Sequence, residues 1–159
     1  MDTIPEFFNH LRSGNIDGVS EQLIKSPELI NAKDERGSTP LILAAYYNQE
    51  AIVDLLLVKG AEIDEMDGSG NTALMGVCFK GFGGIAKKLI EAGAAVNLTN
   101  AMGGTCLIYA ATFNKLDIAQ LLLEHGASLQ EKDARGNTAL DHAKLQGSKE
   151  MITLLENHQ

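Results

Sequence analysis

Asp34-Glu35-Arg36-Gly37-Ser38-Thr39-Pro40-Leu41-Ile42-Leu43-Ala44-Ala45 opens a unit that the chain repeats. Moving 33 residues at a time carries Gly37 to Gly70, Gly103 and Gly136, and Thr39 to Thr72, Thr105 and Thr138. The same step carries Leu41 to Leu74, Leu107 and Leu140, Ile52 to Ile85, Ile118 and Met151, and Gly60-Ala61 to Gly93-Ala94 and Gly126-Ala127. A period of this length marks a stack of supersecondary units, none of which can bury its apolar face alone. One period earlier, Val19, Leu23 and Ile30 fall under Ile52, Leu56 and Ile63, although Ile4 stands where the turn glycine should be. That stretch reads as a degenerate first repeat.

The local chemistry of one unit predicts two helices. Each threonine precedes an apolar run, where its hydroxyl can cap a helix, and Pro40 supplies a preset φ at the first helical position. The body of this first helix uses small residues, Ala44-Ala45, Val77-Cys78 and Ala110-Ala111, which let a neighbouring layer approach. The second helix carries an i, i+3, i+4 stripe, Ile52, Leu55, Leu56 in one unit and Ile118, Leu121, Leu122 in another. Gly60, Gly93 and Gly126 follow as left-handed stops. At the ends the pattern turns polar. Arg12 and Lys144 take the slot of Ala45, Cys78 and Ala111, and Glu156 takes that of Leu57, Ile90 and Leu123. These read as caps of a finite stack, and Thr3-x-x-Glu6 with Pro5 reads as a capping box opening a helix that holds Phe7, Phe8 and Leu11. The array is therefore expected to be complete.

On these residues the chain resembles an ankyrin-repeat protein over essentially its whole length. The resemblance implies one all-α domain over 1–159 with short hairpin loops, a solenoid of about five stacked helix-turn-helix units. The expected units are an N-terminal capping repeat at 1–33, internal repeats at 34–66, 67–99 and 100–132, and a C-terminal capping repeat at 133–159. One departure is consistent: Ile42, Met75, Ile108 and Asp141 stand where the family often places a histidine after the Thr-Pro-Leu triplet. The inter-repeat hydrogen bonds of such a histidine are not expected here.

Composition narrows the function. The 13 Lys and Arg against 21 Asp and Glu give a net charge of −8, which argues against the counterion-releasing contacts of a nucleic-acid binder. No stretch approaches the roughly 18 apolar residues of a membrane span, and Met1 to Glu6 lack the basic and apolar regions of a secretory signal. Only two cysteines occur, Cys78 and Cys106, too far apart for a Cys-x-x-Cys pair. A cytoplasmic, reducing compartment is expected.

Chemical sites are sparse. Gly81-Phe82-Gly83-Gly84-Ile85-Ala86 matches a loose dinucleotide pattern, but it lies at the inter-helix turn, in register with Tyr47-Asn48 and Phe113-Asn114, and no strand precedes it. A glycine-rich turn that loosens the third repeat is the expectation. Glu62, Asp64, Glu65 and Asp67 lack calcium-loop spacing and read as a solvated acidic finger, or as a docking patch for a basic partner. His10, His125, His142 and His158 are scattered, so no metal site is expected. Asp141 and His142 have no accompanying nucleophile and, as neighbours on a helix, diverge. Cys106 takes the slot of Pro40, Ala73 and Ala139 at a helix N-terminus. A small residue fits there, and a dipole-activated redox thiol is the alternative.

The family resemblance implies binding through a concave face made of loop tips and the outer side of the first helices. The matching positions are Arg36, Ser69, Met102 and Arg135 at the tips, then Tyr46, Phe79, Thr112 and Leu145, then Tyr47, Lys80, Phe113 and Gln146. Four of the eight aromatic residues gather in this partly basic strip, and aromatics and arginine dominate binding hot spots. The expected function is non-enzymatic, cofactor-free binding of a partner protein by a monomer, through Arg36, Tyr46, Tyr47, Phe79, Lys80, Met102, Thr112, Phe113 and Arg135. The alternatives are a structural, self-associating or non-catalytic-subunit role, and a redox or small-molecule regulator using Cys106.

Overall fold

The computed structural model describes residues 3–159, with side chains from Ile4 onward. The described residues form ten α-helices and no strand. The order is α1 (Thr3–Ser13), α2 (Ile16–Lys25), a short 3-10 turn (Pro27–Asn31), α3 (Pro40–Tyr46), α4 (Glu50–Val58), α5 (Ala73–Lys80), α6 (Gly83–Glu91), α7 (Cys106–Thr112), α8 (Leu116–Glu124), α9 (Ala139–Gln146) and α10 (Lys149–Asn157). The all-helical, paired architecture follows the sequence reading. The capping box expected at Thr3 involves a side chain outside the described ones.

Each predicted threonine cap is made. Thr39, Thr72, Thr105 and Thr138 accept through Oγ1 from the main-chain N–H of Ile42, Met75, Ile108 and Asp141 at 3.1–3.2 Å. Such a bond satisfies one of the orphan donors at the helix start and contributes about 1 kcal/mol. In α9 the box is reciprocal, because Asp141 Oδ2 accepts from the Thr138 N–H at 2.9 Å. That bond holds the Asp141 carboxyl below its ordinary value. The second helices end at Gly60, Gly93 and Gly126 with φ of +89°, +103° and +88°. A Cβ at any of the three would meet nothing within 4 Å, so the left-handed backbone alone selects glycine there.

The core runs unbroken along the stack. Ala44, Ala45, Val77, Cys78, Ala110 and Ala111 are fully buried, together with the outer-helix residues Leu56, Leu89 and Leu122. Small side chains let α3, α5, α7 and α9 stack closely, whereas α4, α6, α8 and α10 touch one another less. The array therefore curves with the first helices inside.

The hairpins supply the inter-repeat bonding that the absent histidines do not. Main-chain bonds join successive tips, from the N–H of Gly68, Ala101 and Ala134 to the carbonyls of Arg36, Ser69 and Met102 at 2.9–3.0 Å. A second ladder runs below it, in which Asn31, Asp64 and Asn97 accept through Oδ1 from the N–H of Glu62, Ala95 and Ser128 at 2.8–3.1 Å. Two of the four acids read as a solvated finger are thus structural. Asp64 belongs to this ladder, and Asp67 Oδ1 accepts from the N–H of Ser69 and Asn71 at 2.9 Å. Glu62 and Glu65 stay near solvent. Glu65, hydrogen-bonded to Glu62 and 3.3 Å from Lys33, is held below the ordinary carboxylate value, while the same bond holds Glu62 above it.

Candidate functional site

The face inside the curve is built by the first helices and the hairpin tips. Each tip is a turn closed by Asp34, Asp67, Asn100 or Asp133, whose side-chain Oδ1 accepts two main-chain N–H groups. The residue nine positions later, Leu43, Gly76, Tyr109 or His142, faces it from the first helix. In two units this produces a side-chain bond: Asn100 Nδ2 donates to the Tyr109 hydroxyl at 2.6 Å, and His142 Nε2 donates to Asp133 Oδ2 at 2.7 Å. The Asp133 carboxyl is held below its ordinary value by the Asn137 N–H first and by His142 second.

All nine predicted partner-facing residues lie on this side, and eight of them are exposed. Thr112 is half-buried, since its hydroxyl donates to the Ile108 carbonyl at 2.7 Å. The rings are not independent. Tyr46 and Tyr47 meet edge-on at 5.6 Å, Phe79 and Phe113 at 4.7 Å, and Lys80 Nζ stands 4.9 Å from the centre of the Tyr46 ring. Phe79 and Phe113 nonetheless keep 43% and 41% of their surface open. Arg36, Lys80 and Arg135 have no carboxylate within ion-pair distance among the described residues. Lys88 on the outer helices, by contrast, is bound to Asp54 at 2.9 Å, which raises its pKa.

Sequence reasoning missed the grooves between the rings. One, of about 290 Å³, is lined by Ile42, Tyr46, Asp67, Asn71, Thr72, Met75, Gly76, Phe79 and Tyr109. A smaller one, of about 160 Å³, lies between Met102, Tyr109, Phe113, Arg135 and His142. The signal was present in the sequence as the nine-residue spacing from the hairpin Asp or Asn to the helix residue, but only the folded turn brings the two together.

The remaining candidates resolve into structural roles. Gly81 is the left-handed end of α5 at φ +86°, in register with Asn48 and Asn114 at +58° and +56°, so the glycine-rich segment divides between an inter-helix turn at Gly81-Phe82 and the start of α6 at Gly83. His125 and His158 bond through Nδ1 to the carbonyls of Leu121 and Leu154 at 2.9 Å, and His10 bonds to Asn15 at 3.1 Å. No group of three potential metal ligands occurs among the described residues. Cys106 is 1% exposed and packs beside the fully buried Cys78, whose thiol is pushed well up by burial. The redox alternative would need an accessible thiol, and here the small-residue explanation holds.

No described helix is long and apolar enough to cross a membrane. A search of the curated proteins found no match. A family model described as ankyrin repeats in three copies matches residues 8–100 and again 74–159. Those two matches span the same paired helices and hairpin ladders that the period of the sequence lays out, and the chain belongs to the ankyrin-repeat family.

Proposed function

We propose that this chain is a non-enzymatic recognition module that binds a partner protein on the face formed by α3, α5, α7 and α9 and the hairpin tips. Ankyrin repeats in general are protein-interaction modules. One observation carries the reading here: every exposed aromatic ring among the described residues, Tyr46, Tyr47, Phe79 and Phe113, lies on this one face, joined by Met102 at 62% exposure. Leaving 39–46% of each ring in water forgoes somewhat under half of the about 1.5–3 kcal/mol that full burial of a large side chain gives, and clustered open aromatics are the usual anchors of an interface. Arg36, Lys80 and Arg135 supply polar contacts at the rim. In this reading the units 34–66, 67–99 and 100–132 present the surface and the segments 1–33 and 133–159 close the ends. The module acts as a cytoplasmic monomer without a cofactor.

The test is a photo-activatable crosslinker placed at Met102 and, separately, at Thr153 on the outer face of α10. The Met102 position is expected to capture a discrete partner protein in native lysate, with little capture from Thr153. Equal capture, or capture from Thr153 alone, overturns the proposal.

A further inference from the structure

The four hairpins differ in how the Asp or Asn that closes each of them uses its second side-chain atom. Asp34 Oδ2 lies 3.7 Å from the Arg12 guanidinium, Asn100 Nδ2 donates to Tyr109 and Asn71, and Asp133 Oδ2 accepts from His142. Asp67 alone has no such partner among the described residues: the position nine residues on is Gly76, which offers no side chain, and no cation stands in as Arg12 does for Asp34. Nothing in the backbone asks for that glycine. Its φ is not positive, and an added Cβ would meet only Tyr46 Cδ2, at an ordinary 3.8 Å. Glycine inside a helix is destabilising relative to alanine. What it creates is the groove of about 290 Å³ walled by Tyr46, Phe79 and Tyr109, with the Asp67 carboxylate among its lining residues.

We infer that this slot receives one planar, donor-bearing aromatic side chain of the partner protein, a tyrosine, histidine or tryptophan, in the place that Tyr109 and His142 fill in the neighbouring units. The incoming ring packs between Tyr46, Phe79 and Tyr109, and its N–H or O–H donates to Asp67 Oδ2. The volume sits at the bottom of the range for small-molecule sites, so it suits a single side chain rather than a cofactor. Edge-to-face contact with three rings favours an aromatic occupant over an aliphatic one. An open carboxylate selects strongly for a group that can donate, since a buried acceptor left unpaired is costly. This inference rests on the concave-face reading above and names the anchor that reading requires.

The experiment is selection of a random-peptide display library on the immobilised full chain, followed by affinity measurement on three variants. Gly76→Ala tests helix propensity without filling the slot. Gly76→Tyr fills it from within, as the neighbouring unit does, and the Tyr47→Ala, Phe113→Ala pair reports on the rest of the face. Enriched peptides are expected to share a tyrosine, histidine or tryptophan. Their binding is expected to stay within about twofold on Gly76→Ala and to fall about tenfold or more on Gly76→Tyr, which melts no lower than the wild-type chain. Peptides anchored by an aliphatic side chain or arginine, or peptides that bind Gly76→Tyr undiminished, overturn the slot. If those peptides still weaken on the Tyr47, Phe113 pair, the concave face stands without it. If they ignore every variant, or if no peptide enriches, both readings fall.

Discussion

The Phe79 ring meets the Phe113 ring edge-on at 4.7 Å across the boundary between two units, at positions 34 residues apart in the chain. Tyr46 and Lys80 repeat the same offset one unit earlier, with the ammonium 4.9 Å from the ring centre. The proposed recognition strip is therefore also a seam between repeats, and substitutions in it are expected to act on folding as well as on binding.

A double-mutant cycle separates the two effects. Phe79→Ala and Phe113→Ala are each expected to destabilise the chain, and an edge-to-face pair contributes about 0.5–1.5 kcal/mol beyond area burial. Their combined cost in urea unfolding should then be smaller than the sum of the singles by about that amount. Strict additivity would show that the rings touch without supporting each other.

Local stability should follow the glycines. Gly76, Gly81, Gly83 and Gly84 leave α5 and α6 with fewer side-chain atoms than α7 and α8, and a Cβ at Gly83 would meet nothing nearer than 4.0 Å. Amide exchange in residues 76–88 is expected to be faster than in 109–121, because sparse packing lowers the cost of local opening. Equal protection would mean that close stacking offsets the missing side chains.

How far the sequence carried the fold is visible at Thr105. A capping hydroxyl, an apolar run and a glycine stop are local signals: α7 begins at Cys106, directly after Thr105, and α8 ends just before the left-handed Gly126. The inter-repeat bonds were not legible, because the pairing of Asn97 with Ser128 depends on how two hairpins come to lie side by side. The strip itself could be placed, since exposure on a solenoid follows register. The void at Gly76 could not, because in a line of text that residue reads as one more flexible glycine, and only the geometry shows that no backbone constraint explains it.

Acid should act on the last hairpin through Asp133. Its native pKa is depressed below the ordinary 3.8 by the Asn137 N–H and by His142. A depressed carboxyl contributes stability that is complete above its unfolded value and is lost as pH falls through the native one. Asp133→Asn keeps an Oδ1 acceptor for Arg135 and Asn137, as Asn100 does for Met102 and Gly104, but removes the charge. The gap in urea midpoint between wild type and variant is expected to be widest near neutral pH and to close below about pH 4. A gap independent of pH would place the contribution in shape alone.

Both thiols should be silent in the native chain. Cys78 and Cys106 are buried in the seam between α5 and α7, and the Cys78 thiol is pushed up by that burial. An aromatic disulfide reagent reacts with thiolate that it can reach, so little reaction is expected until urea unfolds the chain, when both residues should titrate. Rapid native labelling of Cys106 would reopen the redox alternative.

The functional claim is most directly exposed by replacing Tyr47 and Phe113 together with alanine. Both rings are open, at 46% and 41%, and truncating a central aromatic anchor typically costs about 2 kcal/mol or more of binding. Affinity for the partner recovered from cells should fall by at least about tenfold, since every 1.4 kcal/mol is a factor of ten. Because Phe113 also supports Phe79, the pair should lose about 1 kcal/mol of stability, well short of the marginal 5–15 kcal/mol that keeps a domain folded. Controls belong on the outer helices, but Asp54 is unsuitable there because it holds Lys88 at 2.9 Å. Gln120→Ala and Thr153→Ala remove exposed side chains without breaking an ion pair and should leave binding within about twofold. Measured on chains shown to be folded at the assay temperature, loss of binding in the control pair with retention in the aromatic pair would place the interface on the convex side. Global unfolding of the aromatic pair would instead make the rings part of the core, and the proposed surface would lose its anchors.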